Sequence, residues 1–227
     1  MDAVPTEKTI KDLNDYRIDY SKIPLKIEEF ANCPFEQFKT WFETAEKTEK
    51  DVEVNSMAIA TCSKDGMPSV RYVLCKGFDK NGFVFYTNYE SKKGKQIEEN
   101  PKIAALFYWP NAQRQVRIEG KAEKISEEAS DTYFNSRPIG SQISGSLSPQ
   151  SQVISSKQEL QAKMDEIKKQ VEDDVTKVVR PKNWGGYRII PISFEFWQGQ
   201  SSRFHDRFLY TPLDDSNNNW NINILAP

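Results

Sequence analysis

The sequence predicts a mainly β fold with helices, an antiparallel barrel of the α+β class with helices at its periphery. Two observations favour it. Short segments rich in β-branched and aromatic residues recur along the chain, and turn signals such as "KDGMP" and "DKNG" separate the first of them. Helical patterns interrupt these segments. Short strands at close spacing, broken by helices, are typical of a small barrel with helical decoration.

Length and composition indicate one folded domain with a short appendage. The chain has 227 residues, and 12% of them are aromatic, which is high for a disordered protein. Residues 1–30 lack clear periodicity, so we expect a flexible N-terminal arm there and a single domain over 31–227.

Charge and cysteine content exclude several classes of partner. The formal net charge is −2, so nothing requires a nucleic acid as the main ligand. Three cysteines without a CxxC pair and one histidine do not supply the usual ligand set of a zinc site, and we predict no metal. The start of the chain has no apolar signal-like core, and the longest apolar run, Ile103–Trp109, is too short to span a bilayer. We therefore predict a cytoplasmic protein without membrane contact.

The first predicted element is an amphipathic helix over 33–50. Proline suits a first helical turn, and Pro34 stands at that position. An aromatic stripe at helical spacing predicts the buried face, and it consists of Phe35, Phe38, Trp41, Phe42 and Ala45.

An antiparallel meander is predicted next, followed by helices and a return to strands. The predicted strands of the meander cover 56–63, 69–78, 83–88, 102–109 and 114–125, with a helical stretch at 91–100. Helices are predicted over 126–138 and 155–174, separated by a Ser/Gly-rich loop at 139–152. Strands are then predicted over 185–199, 203–211 and 220–227.

The only histidine, His205, stands between two arginines in "RFHDRFLY". On a strand with period two, Arg203, His205 and Arg207 share one face, while Phe204, Phe208 and Tyr210 face the core. A solvated edge strand with salt bridges explains such a run. The preceding "EFWQG" favours instead a site for a planar, anionic ligand, because an aromatic ring and an amide lie beside the cations.

Other polar clusters are ambiguous when each is taken alone. Arg71 and Lys76 are five residues apart, so on a regular strand they point to opposite faces. Lys92 and Lys93 follow Ser91 at a helix start, which suits either a phosphate cradle or a lysine-rich surface helix.

Two more clusters leave the same choice open. Gln115 shares a strand face with Arg117 and Glu119, so it is either solvated or able to bond a heterocycle. Tyr133, Arg137 and Ser141 follow at four-residue spacing, which is a plausible phosphate clamp.

Taken in order, these segments resemble the pyridoxine (pyridoxamine) 5′-phosphate oxidases. The resemblance covers Met57 to Pro227 and is carried by "RYVLCK", "FYTN", "RQVRIEG", "YFNSRP", "WGGYRIIP", "EFWQG", "RFHDRFLY" and the final "LAP". It implies an FMN-binding split β-barrel and a homodimer with FMN at the interface. It also implies oxidation of pyridoxine 5′-phosphate or pyridoxamine 5′-phosphate to pyridoxal 5′-phosphate in vitamin B6 metabolism. Dioxygen would be the acceptor, hydrogen peroxide a product, and ammonia a further product from the amine.

The resemblance also implies roles for individual residues. The FMN contacts would be Arg71, Tyr72, Val73, Leu74, Tyr86, Thr87, Lys92, Lys93, Gln115, Gln150, Ser151, Trp197 and Arg207. The substrate contacts would be Lys76, Tyr133, Arg137, Ser141, Arg203 and His205, the last two being the catalytic candidates.

The stretch 143–148 departs from the family pattern, with Ser144, Ser146 and Leu147 where "GAWAS" is usual. Two rival functions remain open at this point. One is a flavin-binding split barrel of another activity, such as an FMN reductase. The other is a non-catalytic carrier or sensor of FMN or pyridoxal phosphate.

Overall fold

The computed structural model describes residues 19–20, 22–214 and 219–227. Within them, nine strands form one antiparallel sheet, accompanied by five α-helices. The strands are β1 Ser56–Cys62, β2 Pro68–Leu74, β3 Gly77–Asp79, β4 Gly82–Asn88, β5 Lys102–Trp109, β6 Arg114–Lys124, β7 Trp184–Gln198, β8 Asp206–Pro212 and β9 Trp220–Ile224. The helices are α1 Pro34–Thr48, α2 Lys92–Glu99, α3 Glu127–Ser136, α4 Ile139–Leu147 and α5 Lys157–Glu172.

The sheet is curled into an incompletely closed barrel. Its strand order is β2-β1-β5-β6-β7-β4-β3, and β8 and β9 extend from β7. The edge strand β2 contacts β4 without pairing with it in the hydrogen-bonded order. This arrangement confirms the predicted mainly β, antiparallel fold with peripheral helices.

Strand β7 organises the sheet because it is long enough to serve two partners on one side. Residues 184–189 pair with β4, and residues 194–198 pair with β8. Strand β6 pairs with the other side of β7, and the register of this pairing shifts between Glu119 and Gly120. The bulge lets one long strand bend around the barrel.

Aromatic side chains fill the barrel, and α1 covers one end of it. Phe38 on α1 is fully buried and packs edge-on against Phe78, Phe83 and Phe107 at ring-centroid distances of 4.8–4.9 Å. Pro34 occupies the first turn of α1, as predicted. The predicted aromatic stripe is therefore core.

Helix α2 is fixed tightly at its start. The Ser91 side chain caps it by accepting a hydrogen bond from the Gly94 N–H at 3.3 Å. A Cβ at Gly94 would lie 2.1 Å from the Tyr89 carbonyl oxygen, so only glycine allows this approach. The neighbouring Lys93 is thereby held against the sheet.

The described part of the predicted N-terminal arm packs on the domain. Phe30 is 8% exposed and lies 4.1 Å from Phe208 between ring centroids. Farther back, the Leu25 N–H donates to Asp206 Oδ2 at 3.0 Å. Residues 1–18 and 21, on which most of the arm prediction falls, lie outside the described residues.

Three predictions about local structure are wrong. The strands 56–125 do not form a simple meander, because β4 pairs with β7 and not with β5. The predicted loop over 139–152 contains α4, whose Ile143 is buried. The predicted strand over 203–211 begins only at Asp206.

Candidate active site

A first cavity of about 430 Å³ opens between β2, β4 and the helices α2 to α4. Its lining contains cationic, hydroxyl, amide and aromatic side chains, and none of the described residues that line it is acidic. The lining residues are Tyr72, Val73, Leu74, Lys76, Tyr86, Thr87, Lys93, Tyr133, Arg137, Pro138, Ser141, Gln150 and Trp184. The cavity thus gathers most of the predicted site residues from distant parts of the chain.

Lys93 is the buried cation of the first cavity. Its Nζ donates to Thr87 Oγ1 and to Gln150 Oε1, both at 3.1 Å. Burial, with the charge of nearby Arg71 as a smaller contribution, lowers the pKa of Lys93 to about 8. Its hydrogen-bond partners are all neutral, so the ammonium retains its capacity to attract an anion.

Arg71 lies beside this lysine and is oriented by neutral groups. Its Nη1 donates to Thr61 Oγ1 at 2.6 Å and to the Ile59 carbonyl at 3.3 Å. Thr61 in turn donates to Gln96 Oε1 on α2 at 2.6 Å. Burial lowers the pKa of Arg71. No ion pair between described residues includes Arg71 or Lys93.

A stack of three aromatic rings forms another wall of the cavity. Tyr86 lies parallel to Tyr133 with centroids 3.8 Å apart, and Trp184 lies parallel to Tyr86 at 5.6 Å. The Arg137 guanidinium sits 4.7 Å from the Trp184 ring. Arg137 Nη1 is buried and has no hydrogen-bond partner, so it is a donor that a ligand can satisfy.

The remaining predicted residues of this region are more exposed. Lys76 follows the end of β2, and Ser141 lies in the first turn of α4. Both line the cavity. Lys92 and Ser151 are exposed and are not among the lining residues.

A second cavity of about 380 Å³ lies on the outer face of β5 to β8. Gln115, Trp197 and Arg207 stand side by side here, because Gln115 pairs with Trp197 across β6 and β7, and Trp197 pairs with Arg207 across β7 and β8. Leu106 and Pro227 contribute apolar surface. The predicted face of Gln115 and Arg117 is confirmed, since Val116 and Ile118 between and beside them are fully buried.

A buried carboxylate holds the arginines of the second cavity. Glu195 accepts from Arg207 Nε at 2.8 Å through Oε1 and from Arg117 Nη2 at 2.5 Å through Oε2. Burial raises the pKa of Glu195, but the hydrogen bonds from both arginines outweigh burial and leave the pKa below its ordinary value. Arg207 also donates from Nη1 to the Ala226 carbonyl at 2.8 Å.

The predicted shared strand face of Arg203, His205 and Arg207 is wrong. Ser202 and Arg203 have φ of +54° and +60°, and they form a tight turn before β8. Only Arg207 lies on the strand. Arg203 is exposed at the tip of the turn, and Phe204, predicted to be core, is 75% exposed.

His205 nevertheless reaches Trp197, with ring centroids 4.8 Å apart. Its Nδ1 accepts a hydrogen bond from the Gln200 N–H at 3.0 Å. A neutral imidazole that accepts at Nδ1 carries its proton on Nε2. His205 therefore presents a donor at its outer nitrogen.

Tyr20, which had no predicted role, packs over Trp197 and His205. Its ring lies edge-on to both Trp197 and His205 at 5.6 Å. A Cβ on Gly199 would lie 2.4 Å from the Tyr20 ring, so the glycine makes room for it. This contact could not be predicted from the sequence, because the segment around Tyr20 lacks periodicity.

The two cavities lie at opposite ends of β7. Gly186 pairs with Tyr86 beside the first cavity, and Trp197 lines the second. Eleven residue steps separate them, which is a path of about 36 Å along the strand. The predicted site residues thus fall into two groups that one chain does not bring together.

Two protein-family models match this sequence. One is described as pyridoxamine 5′-phosphate oxidase and matches residues 43–171. The other is described as the pyridoxine 5′-phosphate oxidase C-terminal dimerisation region and matches residues 184–227. The first model alone covers more than half of the chain.

Curated relatives are similar over nearly the whole length. A protein of Burkholderia lata named pyridoxine/pyridoxamine 5′-phosphate oxidase is 49% identical over 95% of this chain and 99% of its own. One of Trichormus variabilis with the same name is 48% identical over 97% and 100%. A chloroplastic relative of Arabidopsis thaliana is 49% identical over 95% of this chain and 41% of its own.

Solved structures share the fold. PhzG from Burkholderia lata, in complex with tetrahydrophenazine-1-carboxylic acid, superposes with a TM-score of 0.82 at 27% identity, covering 92% of this chain and 100% of its own. A pyridoxamine 5′-phosphate oxidase-related, FMN-binding protein from Nostoc punctiforme has a TM-score of 0.68 at 18% identity, covering 87% and 100%. These neighbours confirm the predicted split-barrel fold.

Proposed function

This chain belongs to the pyridoxamine 5′-phosphate oxidase family, and we propose that it is an FMN-dependent oxidase of pyridoxine 5′-phosphate and pyridoxamine 5′-phosphate. The product is pyridoxal 5′-phosphate, dioxygen is the acceptor, and hydrogen peroxide is released. The amine substrate also releases ammonia.

The observation that carries this proposal is the charge of the first cavity. It contains two separate sets of cationic and hydroxyl groups without a lining carboxylate among the described residues. Lys93 and Thr87, with Arg71 behind them, form one set; Arg137 and Ser141 belong to the other. Two phosphate groups, one on the cofactor and one on the substrate, match two such sets.

The residues present fit FMN. The depressed pKa of Lys93 and the neutral partners of Arg71 indicate a place for a phosphate dianion, since an anion offsets the cost of burying two cations. When bound, FMN supplies the redox chemistry by accepting electrons from the substrate and passing them to dioxygen. Lys93, Arg71, Thr87 and Gln150 would hold the phosphate, while Gln115, Trp197 and Arg207 would hold the ring system.

The substrate phosphate would be held by the second set in the first cavity. Arg137 Nη1 is a preformed and unsatisfied donor, and Lys76, Tyr133 and Ser141 line the same space. Fixed phosphate contacts orient the pyridine ring, because binding energy at a remote group is available to position the reacting carbon.

Arg203 and His205 would cover the substrate ring from the turn before β8. With its proton on Nε2, neutral His205 donates a hydrogen bond to a ring substituent and has no free lone pair there to accept a proton. We therefore assign His205 a positioning role. The exposed Arg203 side chain would close over the ring.

A homodimer would unite the two cavities. Because they lie at opposite ends of β7, a complete flavin site needs the first cavity of one subunit and the second cavity of its partner. The similarity of residues 184–227 to a dimerisation region supports this arrangement. By two-fold symmetry, one dimer would hold two sites.

The cytoplasm suits this reaction. The three cysteines are all free, which is consistent with a reducing compartment. Among the described residues, the structure contains no helix with the length and apolar character needed to cross a membrane.

Purification followed by anaerobic addition of pyridoxine 5′-phosphate tests the proposal. We expect a yellow protein whose flavin absorbance bleaches with substrate and returns with dioxygen, releasing one equivalent of peroxide. Arg137→Gln, at a residue of the substrate set, should keep the flavin and raise the KM for the substrate. A colourless protein, or a flavin that no phosphorylated substrate bleaches, would contradict the proposal.

The PhzG structure motivates one rival substrate class, since its ligand is a carboxylated tricyclic without phosphate. The unsatisfied Arg137 donor in a cavity with a second cationic set favours a phosphorylated substrate. Bleaching by pyridoxine 5′-phosphate but not by unphosphorylated pyridoxine would exclude a site that ignores phosphate.

A further inference from the structure

Glu195 has the only acidic side chain among the described residues that line the second cavity. It is 7% exposed and stands on β7 between Phe194 and Phe196 in sequence, with its side chain on the face opposite to these two core residues. A buried carboxylate requires compensation, and Arg117 and Arg207 supply it.

The hydrogen bonds around Glu195 orient the guanidinium of Arg207. Glu195 Oε1 accepts from Arg207 Nε at 2.8 Å, and the Ala226 carbonyl accepts from Arg207 Nη1 at 2.8 Å. With Nε and Nη1 both engaged, the planar guanidinium is fixed at two points. Its remaining N–H groups stay available beside Trp197 and Gln115.

Glu195 also determines the charge of the cavity. The two arginines Arg117 and Arg207 share this carboxylate, and Arg117 also pairs with the more exposed Glu119. The first cavity has cations with neutral partners, whereas the second has cations that are neutralised. This contrast fits a phosphate in the first cavity and an uncharged or partly charged ring system in the second.

We propose that Glu195 is a positioning residue that fixes the Arg207 guanidinium against the flavin ring and limits the positive charge presented to it. This inference rests on the proposed function, because it takes FMN as the ligand of the second cavity. Glu195 would act through Arg207, since its two carboxylate oxygens are engaged by Arg207 and Arg117.

The test uses Glu195→Gln in the full-length holoprotein, with Glu119→Gln as the matched control. The glutamine keeps the shape of the side chain and removes its charge. We expect the FMN dissociation constant of Glu195→Gln to rise on the order of tenfold, because a charge-assisted hydrogen bond to Arg207 is lost. We also expect Glu195→Gln to bind reduced FMN more tightly relative to oxidised FMN than the wild type does, since reduced flavin carries negative charge. A tenfold gain is about 30 mV in the two-electron midpoint potential, in the positive direction.

Glu119→Gln also removes a negative charge next to Arg117 but leaves the Arg207 pair intact. Its FMN affinity and midpoint potential should stay at the wild-type values. Equal shifts in both variants would overturn the proposal, because they would indicate a general charge effect. Wild-type affinity and potential in Glu195→Gln would overturn it as well.

A second variant keeps the test decisive if Glu195→Gln does not fold. Glu195→Asp keeps the charge but withdraws the carboxylate by one methylene, so it should weaken FMN binding without the positive shift in potential. Wild-type FMN affinity in Glu195→Asp would refute the positioning role. A folded variant that retains no FMN counts as the expected loss. If the wild type itself binds no FMN, the proposed function fails; if the wild type binds FMN and the variants match it, only this inference fails.

Discussion

Mixing two variants that are inactive for different reasons will show whether the two cavities of different subunits form one site. Lys93→Gln removes the buried ammonium of the first cavity, and Arg207→Gln removes the guanidinium of the second. Along β7 these regions are eleven residue steps apart, a path of about 36 Å, and in the proposed dimer each site takes its two halves from different subunits. Each variant alone should therefore lack both sites of its homodimer.

A mixed dimer should regain one site. In it, one of the two sites combines both substitutions, while the other combines an intact first cavity with an intact second cavity. Random mixing makes about half of the dimers mixed, each with one of two sites, so about a quarter of wild-type activity should return.

The assay is co-refolding of equal amounts of the two variants, followed by measurement of bound FMN and of the oxidation rate. Lys93→Gln mixed with Arg71→Gln serves as the control, because Arg71 lies beside Lys93 and every site of a mixed dimer then carries one of the two changes. If the mixture of Lys93→Gln and Arg207→Gln is no more active than its parents while dimers form, each chain contains its own site and the reasoning is wrong.

Three further predictions concern affinity, stability and turnover. FMN affinity should fall as pH rises above about 8, because Lys93 loses its proton there and a phosphate dianion prefers the protonated form; Lys93→Arg should flatten this dependence in fluorescence titrations, and an unchanged slope would count against the assignment. Phe38→Ala should lower the free energy of unfolding by about 4 kcal/mol in denaturant titrations, whereas Phe204→Ala, at a 75% exposed side chain, should change it little; similar losses would contradict the core assignment. Arg203→Ala should reduce kcat on the order of a hundredfold with FMN content retained, and full turnover would exclude the covering role of Arg203.

Local patterns predicted the elements that are regular by themselves. The aromatic stripe of α1 and the alternation around Val116 and Ile118 are set by periodicity, and both are present in the structure. The Ser/Gly-rich segment of α4 has poor helix formers, so its helix depends on packing, with Ile143 buried beneath it. That packing is not visible in a local pattern.

The site was harder to predict because its geometry depends on two backbone features. Positive φ at Ser202 and Arg203 cannot be inferred for non-glycine residues, and it moves Arg203 and His205 off the strand that carries Arg207. The pairing of β4 with β7 is long-range, so it cannot be predicted from the residues next to either strand. Glu195 was detectable in the sequence, since it is two residues from Trp197 and so shares its face of β7. A single acidic residue among aromatic residues indicates a buried carboxylate paired with a cation.

The length of β7 has a consequence for how the proposed dimer would retain FMN. In the proposed dimer, a separated subunit has half of each flavin site, so dissociation into subunits and release of FMN are one linked equilibrium. Dilution should release FMN from the protein, and added FMN should shift the midpoint of subunit association to lower protein concentration. In a cell, the fraction of this chain that is flavin-loaded would then depend on its own abundance as well as on the supply of FMN.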